Sequence, residues 1–161
     1  MSSEVSSRPT AEWILVQSAL LWAQRSTCSR AQVGAVIAIQ GRQVSSGYNG
    51  APAGMPHCNH DCDCGYPGEG GLLFEGKHLS NCASLPEACV SVHAEANAIA
   101  FAARHGVALE GATLYTTYSP CVSCAQLIIN SGITKVVYLN DYRLTNGRKL
   151  LEQVGIETHQ M

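Results

Sequence analysis

Residues 113–140 carry the pattern that most constrains how this chain can fold. The strand-like run TLYTTY (113–118) is followed by CVSCAQLIINSG, which suits a helix closed by Gly132, and then by a second strand-like run, KVVYLN (135–140). A helix between two strands usually joins them in parallel, and parallel strands need cover on both faces. The pattern therefore predicts an α/β domain whose sheet is at least partly parallel.

The rest of the chain supplies further elements for the same domain. The runs VGAVIAI (33–39) and QVSSGYNG (43–50) are separated by a tight turn at Gly41 and predict a β-hairpin. Helices are predicted over about 11–26, where the spacing of apolar residues suggests an amphipathic helix, over 93–105 and over 147–154.

Length and composition limit the classes of protein to consider. A chain of 161 residues is enough for one domain, and we expect a single domain over 1–161. With 46% hydrophobic residues, 14% charged residues and a net charge of −2, neither a disordered chain nor a nucleic-acid-binding protein is expected. The N-terminal MSSEVSSRPT lacks signal-peptide features, and the apolar run WILVQSALLWA is too short to span a bilayer. We expect a cytoplasmic protein without a membrane segment.

A cysteine-rich insertion at about 51–91 interrupts the regular pattern. Structureless stretches of this length are usually functional or locally cross-linked. Because no export signal is recognised, the cysteines are expected to be reduced, which favours metal binding over disulfides. The eight cysteines are Cys28, Cys58, Cys62, Cys64, Cys82, Cys89, Cys121 and Cys124.

The segment SPCVSC (119–124) lies where a strand gives way to a helix, with Ser119 as a candidate cap. Cys121 and Cys124 are three positions apart, so both sulfurs of a first helical turn can face one metal ion. His93 also stands at a predicted helix start, and a sheet can bring two such starts together at one edge. Three protein ligands leave a fourth zinc position for water, which is typical of a catalytic zinc.

Glu95 gives this predicted zinc site a chemical role. It follows His93 by two positions, and at an open helix start both side chains can reach the same cavity. The pattern H-x-E followed by P-C-x-x-C is the signature of zinc deaminases, in which the carboxylate moves protons while water displaces an amino group from a ring carbon. Here HAE precedes the first cysteine of PCVSC by 28 positions, counted from His93 to Cys121.

The chain resembles the deoxycytidylate deaminases of the cytidine deaminase-like superfamily over most of its length. The matching segments are STCSRAQVGAVI, GYNGAPAGMPHC, HAEANAIAFAARHG, GATLYTTYSPCVSCAQLIINSGITKVVY and the DY of 141–142. GYNGAPAG followed by a long cysteine-bearing insertion before HAE singles out the nucleotide-specific branch. The family often has an arginine shortly before HAE where this chain has CVSV, and an aliphatic residue where it has Tyr118.

The resemblance implies a fold, an activity and regulation. The implied fold is a three-layer α/β/α sandwich with a five-stranded mixed sheet. The implied activity is zinc-dependent hydrolytic deamination of dCMP to dUMP with release of ammonia. A homo-oligomer, commonly a hexamer, regulated by dCTP and dTTP is also implied, with Mg²⁺ accompanying a triphosphate effector.

Carried over residue by residue, the resemblance also assigns roles. His93, Cys121 and Cys124 match the zinc ligands, and Glu95 matches the proton shuttle. Arg104 lies in a matching segment, where a surface or subunit-contact role suits it equally well. The expected substrate contacts are Asn49, Ser119, Tyr142 and Arg30, of which Arg30 could equally be a surface residue.

A second, structural zinc is also expected. Cys28 and Cys58 match positions that bind such a zinc in some deaminases of the family, and Cys89 is the natural third ligand. We favour Cys64 as the fourth. The alternatives to Cys64 all lie within a few residues of Cys58, and they are Cys62, His57 and His60.

Three other functions remain to be compared with dCMP deamination. A deaminase of another nucleobase, nucleoside or nucleotide could use the same zinc site. A non-catalytic zinc module has no use for a free carboxylate such as Glu95. A nucleic-acid editor would need a basic, aromatic patch that this chain lacks.

Overall fold

The computed structural model describes residues 8–28, 31–54, 73–74, 77–78 and 91–161. These residues form four helices and seven strands. In chain order the elements are α1 (Ala11–Ala23), β1 (Gly34–Ile39), β2 (Arg42–Tyr48), β3 (Leu73–Phe74), β4 (Lys77–His78), α2 (Ala94–Arg104), β5 (Thr113–Tyr118), α3 (Val122–Asn130), β6 (Lys135–Asn140), α4 (Asn146–Gln153) and β7 (Glu157–Gln160).

The main sheet has five strands in the order β2-β1-β5-β6-β7. Strand β1 pairs antiparallel with both β2 and β5, whereas β5, β6 and β7 run parallel to one another. The predicted five-stranded mixed sheet is therefore confirmed. The parallel pair β5 and β6 is the pair predicted from TLYTTY and KVVYLN, joined by α3.

The sheet lies between two layers of helices. Ala35 and Ile37 of β1 face a core formed with α2, α3 and α4, while Val36 and Ala38 face the opposite core formed with α1. Residues 34–38 of β1 are all buried, because successive side chains of a strand point to opposite faces and both faces are covered. The α/β/α sandwich is thus confirmed.

Helix α1 differs from its prediction in length and in pattern. It ends at Ala23 rather than near Ser26. Like the other helices within the described ranges, it is not long and apolar enough to cross a membrane. Leu15 and Val16 are buried, but Trp13, Ile14, Leu20 and Leu21 on the same helix are exposed. The prediction of an amphipathic α1 is wrong because apolar residues occur on its outer side as well.

Two structural features were missing from the sequence-based prediction. Strands β3 and β4 form a short antiparallel pair inside the insertion at about 51–91, most of which lies outside the described residues. Strand β7 adds a polar edge strand after α4, in parallel with β6. Its sequence, ETHQ, has no alternation of apolar and polar residues, so the usual signal for a strand is weak.

Candidate active site

Helix α2 is positioned by close contact with β2. A side chain on Gly47 would overlap the carbonyl oxygen of Ala94, so glycine lets the helix backbone lie directly against the strand. The hydroxyl of Ser45 donates to the carbonyl oxygen of Ala98 at 2.6 Å. Just before the helix, Gly50 and Val92 exchange backbone hydrogen bonds of 2.9 and 3.2 Å. The start of α2 is therefore fixed to the end of β2.

Helix α3 begins directly after β5 at the same edge of the sheet. Its N-cap residue is Cys121, and Ser119 does not cap it, contrary to the sequence-based suggestion. The Ser119 hydroxyl instead accepts a hydrogen bond of 2.8 Å from the backbone N–H of Tyr142. Gly147 of α4 packs so closely that a Cβ atom there would overlap the carbonyl oxygen of Pro120. The backbone N–H of Ser119 also donates to the carbonyl oxygen of Asn140 in β6 at 2.8 Å, so both β6 and α4 hold the turn that carries Cys121.

The two helix starts bring His93, Cys121 and Cys124 together. His93 is the N-cap of α2. Its Nδ1 lies 3.4 Å from Cys121 Sγ and 3.5 Å from Cys124 Sγ. The three ligand atoms lie within 4.8 Å of one another. This distance suits one metal ion with three protein ligands, as the sequence predicted.

Glu95 lies beside this cluster and is only 4% exposed. Its Oε2 is 3.6 Å from Cys124 Sγ. Burial raises the pKa of the Glu95 carboxyl above its ordinary value, while a backbone hydrogen bond and His93 act in the opposite direction. A raised pKa suits a carboxyl group that must both accept and release a proton near neutral pH.

The two thiols are electrostatically unequal. The pKa of Cys121 is lowered to about 4, chiefly because the Cys124 thiol donates a hydrogen bond to it. The pKa of Cys124 is raised, first by that hydrogen bond and then by burial. Cys121 is therefore the thiol that ionises more readily, and it lies next to the buried Glu95.

The chemistry of the donors fits zinc. An imidazole nitrogen and two thiol sulfurs are ligands that zinc prefers, and a divalent cation would stabilise the thiolate forms of Cys121 and Cys124. Within the parts of the chain that the structure describes, Glu95 has no ion pair with a lysine or arginine. A cation at the cluster would stabilise the ionised form of Glu95, which burial otherwise disfavours.

A cavity of about 380 Å³ opens in front of the cluster, a size suited to a small molecule. His93, Glu95 and Cys121 line it, as do three of the predicted substrate contacts, Asn49, Ser119 and Tyr142.

Asn49 also stabilises the backbone beside the cavity. Its Oδ1 accepts from the backbone N–H of Val33 at 2.8 Å, and its Nδ2 donates to the carbonyl oxygen of Ala31 at 2.7 Å.

Two further residues of the cavity wall were not identified from the sequence. Arg143 follows Tyr142, and its guanidinium lies 5.8 Å from the centre of the Tyr142 ring. Ser91 precedes His93 by two positions, and its buried hydroxyl has no hydrogen-bond partner among the described residues. Neither belongs to a spaced motif, although both are close in sequence to residues that do. Tyr118, noted as a departure from the family, lines the same cavity.

Several residues predicted to bind the substrate or the second zinc fall outside the described residues. Arg30 is one of them, and so are Cys58, Cys64 and Cys89 together with their alternatives Cys62, His57 and His60. Cys28 is described. It is buried and lines the cavity that contains His93.

Comparison with known proteins agrees with the geometry. Residues 11–140 match the family described as the cytidine and deoxycytidylate deaminase zinc-binding region. The deoxycytidylate deaminase of Enterobacteria phage T4 is 42% identical over 171 aligned positions, which cover 89% of this chain and 86% of that protein. The chain belongs to the deoxycytidylate deaminase family. ComE operon protein 2 of Bacillus subtilis is 37% identical, with 93% of this chain and 70% of that protein covered.

A solved structure extends this deaminase resemblance to the fold. The dCMP deaminase of cyanophage S-TIM5, crystallised in complex with dCMP and dUMP, superposes with a TM-score of 0.74 at 31% sequence identity. The superposition covers 96% of this chain and 98% of that one. The family relationship therefore extends over nearly the whole chain.

The packing of Gly147 against the Cys121 turn generates a first prediction. Gly147→Ala should destabilise the protein by about 1–3 kcal/mol, because the added methyl group must displace backbone atoms. It should also weaken zinc binding by moving Cys121. Chemical denaturation and zinc titration measure the two effects, with the exposed neighbour Asn146→Ala as the control. Wild-type stability and zinc affinity in Gly147→Ala would show that this contact does not position Cys121.

Proposed function

We propose that this deaminase hydrolyses dCMP to dUMP and ammonia. The observation that carries the proposal is the buried Glu95 carboxyl beside His93, Cys121 and Cys124, at the wall of a cavity large enough for a small molecule. Family membership and the dCMP and dUMP bound by the cyanophage S-TIM5 enzyme support this substrate over other amino-substituted rings.

His93, Cys121 and Cys124 would hold the zinc ion. When bound, the zinc supplies Lewis acidity that makes water an effective nucleophile near neutral pH. Glu95 accepts a proton from the attacking water and passes it to the ring nitrogen of cytosine. The carboxyl then takes the remaining proton of the attacking oxygen and passes it to the amino group, which leaves as ammonia. One water molecule is consumed, and the ring keeps its oxygen as the new carbonyl.

The proposed substrate contacts are Asn49, Ser119, Tyr142 and Arg30. The first three line the cavity, which supports their assignment. Because the Asn49 and Ser119 side chains already bind backbone groups, they also keep the cavity wall in shape. We expect their substitution to affect both folding and substrate binding.

A substrate panel tests the proposed activity. Ammonia release from cytosine, cytidine, deoxycytidine, CMP, dCMP and guanine should show the highest kcat/KM for dCMP. The physical reason is that binding the sugar phosphate positions the base at the catalytic groups. Higher kcat/KM for a free base or for a nucleoside would contradict dCMP as the substrate.

Glu95→Gln provides the matched control for the panel. The amide is similar in size to the carboxyl, so the variant should bind zinc normally, yet it cannot accept and return the proton. We expect kcat to fall by at least ~10²–10⁴-fold. Near-normal turnover in a variant of normal zinc content would contradict the role of Glu95.

We also propose a second, structural zinc bound by Cys28, Cys58, Cys64 and Cys89. Cys28 is buried, which is expected of a side chain that binds a structural metal rather than of a surface thiol. Four protein ligands would close the coordination sphere, so this zinc would join the insertion to the segment after α1 rather than take part in the reaction.

Zinc content tests the second site. The wild-type protein should contain about two zinc ions per chain, because each proposed ligand set fills one site. Cys28→Ser should keep about one and lose stability, and Cys121→Ser should lose the other. Cys82→Ser, which changes an insertion cysteine outside both ligand sets, is the control. About one zinc in the wild type, lost entirely in Cys121→Ser, would contradict the second site.

Regulation, assembly and location complete the proposal. We expect a cytoplasmic homo-oligomer, a hexamer by family resemblance, that dCTP with Mg²⁺ activates and dTTP inhibits. Such effectors must bind two states of the protein unequally. The dependence of the rate on dCMP should be sigmoidal, and dCTP should shift it to lower dCMP concentrations. Hyperbolic kinetics that neither triphosphate changes would contradict regulation.

A further inference from the structure

We propose that Arg143 binds the 5′-phosphate of the substrate and thereby determines the preference for a nucleotide over a nucleoside. This inference rests on the proposed function, since it concerns the same cavity. A phosphate carries nearly two negative charges at neutral pH, so its binding site requires a positively charged group.

Among the described residues, Arg143 is the cation best placed to meet this requirement. It lies in the segment between β6 and α4 and lines the cavity that contains His93 and Glu95. Among the cavity-lining residues that the structure describes, Arg143 is the sole lysine or arginine. Its side chain is exposed, which places its charge at the solvent side of the cavity.

The guanidinium of Arg143 is not neutralised by a described acidic residue. Within the described ranges its guanidinium contacts the Tyr142 ring, with 5.8 Å to the ring centre. The nearest acidic residue in sequence, Asp141, is bound instead by Arg148, with an N···O distance of 3.0 Å. Arg148 also donates to the Tyr138 hydroxyl at 2.9 Å. One arginine of this region is thus occupied by protein groups, and Arg143 keeps its donors for a ligand.

The distribution of charge along the cavity gives the ligand a direction. Glu95 and the cluster of His93, Cys121 and Cys124 occupy the inner end, where the reacting ring must lie and where no described lysine or arginine lines the wall. The base, which is uncharged, suits the inner end. The phosphate then belongs at the exposed end, where Arg143 can offer a planar pair of N–H donors.

The backbone around Arg143 is held in place before any ligand binds. The N–H of Tyr142 donates to the buried Ser119 hydroxyl, and Asp141 is held by Arg148 of α4. Residues on the N-terminal side of Arg143 are therefore anchored to the same turn that carries Cys121. This anchoring reduces the conformational entropy that phosphate binding would remove.

Steady-state kinetics of Arg143→Gln with dCMP and deoxycytidine tests the inference. The kcat/KM for dCMP should fall about 10- to 100-fold, the loss expected for a hydrogen-bonded charge, while that for deoxycytidine stays unchanged. Arg143→Lys should retain part of the preference for dCMP. Inorganic phosphate should inhibit deoxycytidine turnover less in Arg143→Gln than in the wild type.

The matched control is Lys149→Gln, which removes an exposed cation of α4 outside the cavity wall. It should leave both substrates unaffected. An unchanged dCMP rate in Arg143→Gln, or an equal fall for dCMP and deoxycytidine, would overturn the inference while the wild-type activity stands. A loss confined to Arg30→Gln would assign the phosphate to Arg30 instead. A wild-type enzyme without dCMP activity would overturn both proposals.

Discussion

The site depends on the close packing of two helix starts against one edge of the sheet. Gly47 lets the backbone of α2 rest on β2, and Gly147 lets α4 press on the turn that precedes α3. A side chain at either position would overlap backbone atoms, and such atoms yield little in a packed interior. The positions of His93 and Cys121 therefore follow from glycine-mediated contacts that lie outside the proposed metal-binding and catalytic residues.

Electrostatics then organises the cavity from inside to outside. Burial raises the pKa of Glu95 and thus disfavours its charged form, and an imidazole and two thiols lie close together beside it, so these groups need a cation to act in their ionised forms. Zinc would meet that demand with the three ligands present. The outer end has the opposite character, because Arg143 is exposed there without an acidic partner among the described residues.

The sequence predicted the cluster of His93, Cys121 and Cys124 because its members come in short local patterns. The two helix starts can be predicted from the sequence, and the spacing of His93 and Glu95 and of Cys121 and Cys124 places each pair at one of them. The apolar runs of β5 and β6 likewise predict a parallel pair of strands. Arg143 could not be found in this way, since it reaches the cavity through a tertiary hydrogen bond between Ser119 and Tyr142. Strand β7 was missed for a related reason: a polar edge strand takes its structure from pairing with β6.

Asn49 and Arg143, both proposed substrate contacts, differ in whether they also support the fold. Asn49 was predicted from its motif, yet both of its polar atoms bind the backbone of residues 31 and 33, so a change there disturbs the wall as well as the ligand. Arg143 has no such structural task among the described residues, and Arg148 already stabilises Asp141. A substitution of Arg143 can therefore alter phosphate recognition without loosening the fold. Residues of this kind, exposed at the rim of a rigid cavity, are where substrate preference can change at the least cost in stability.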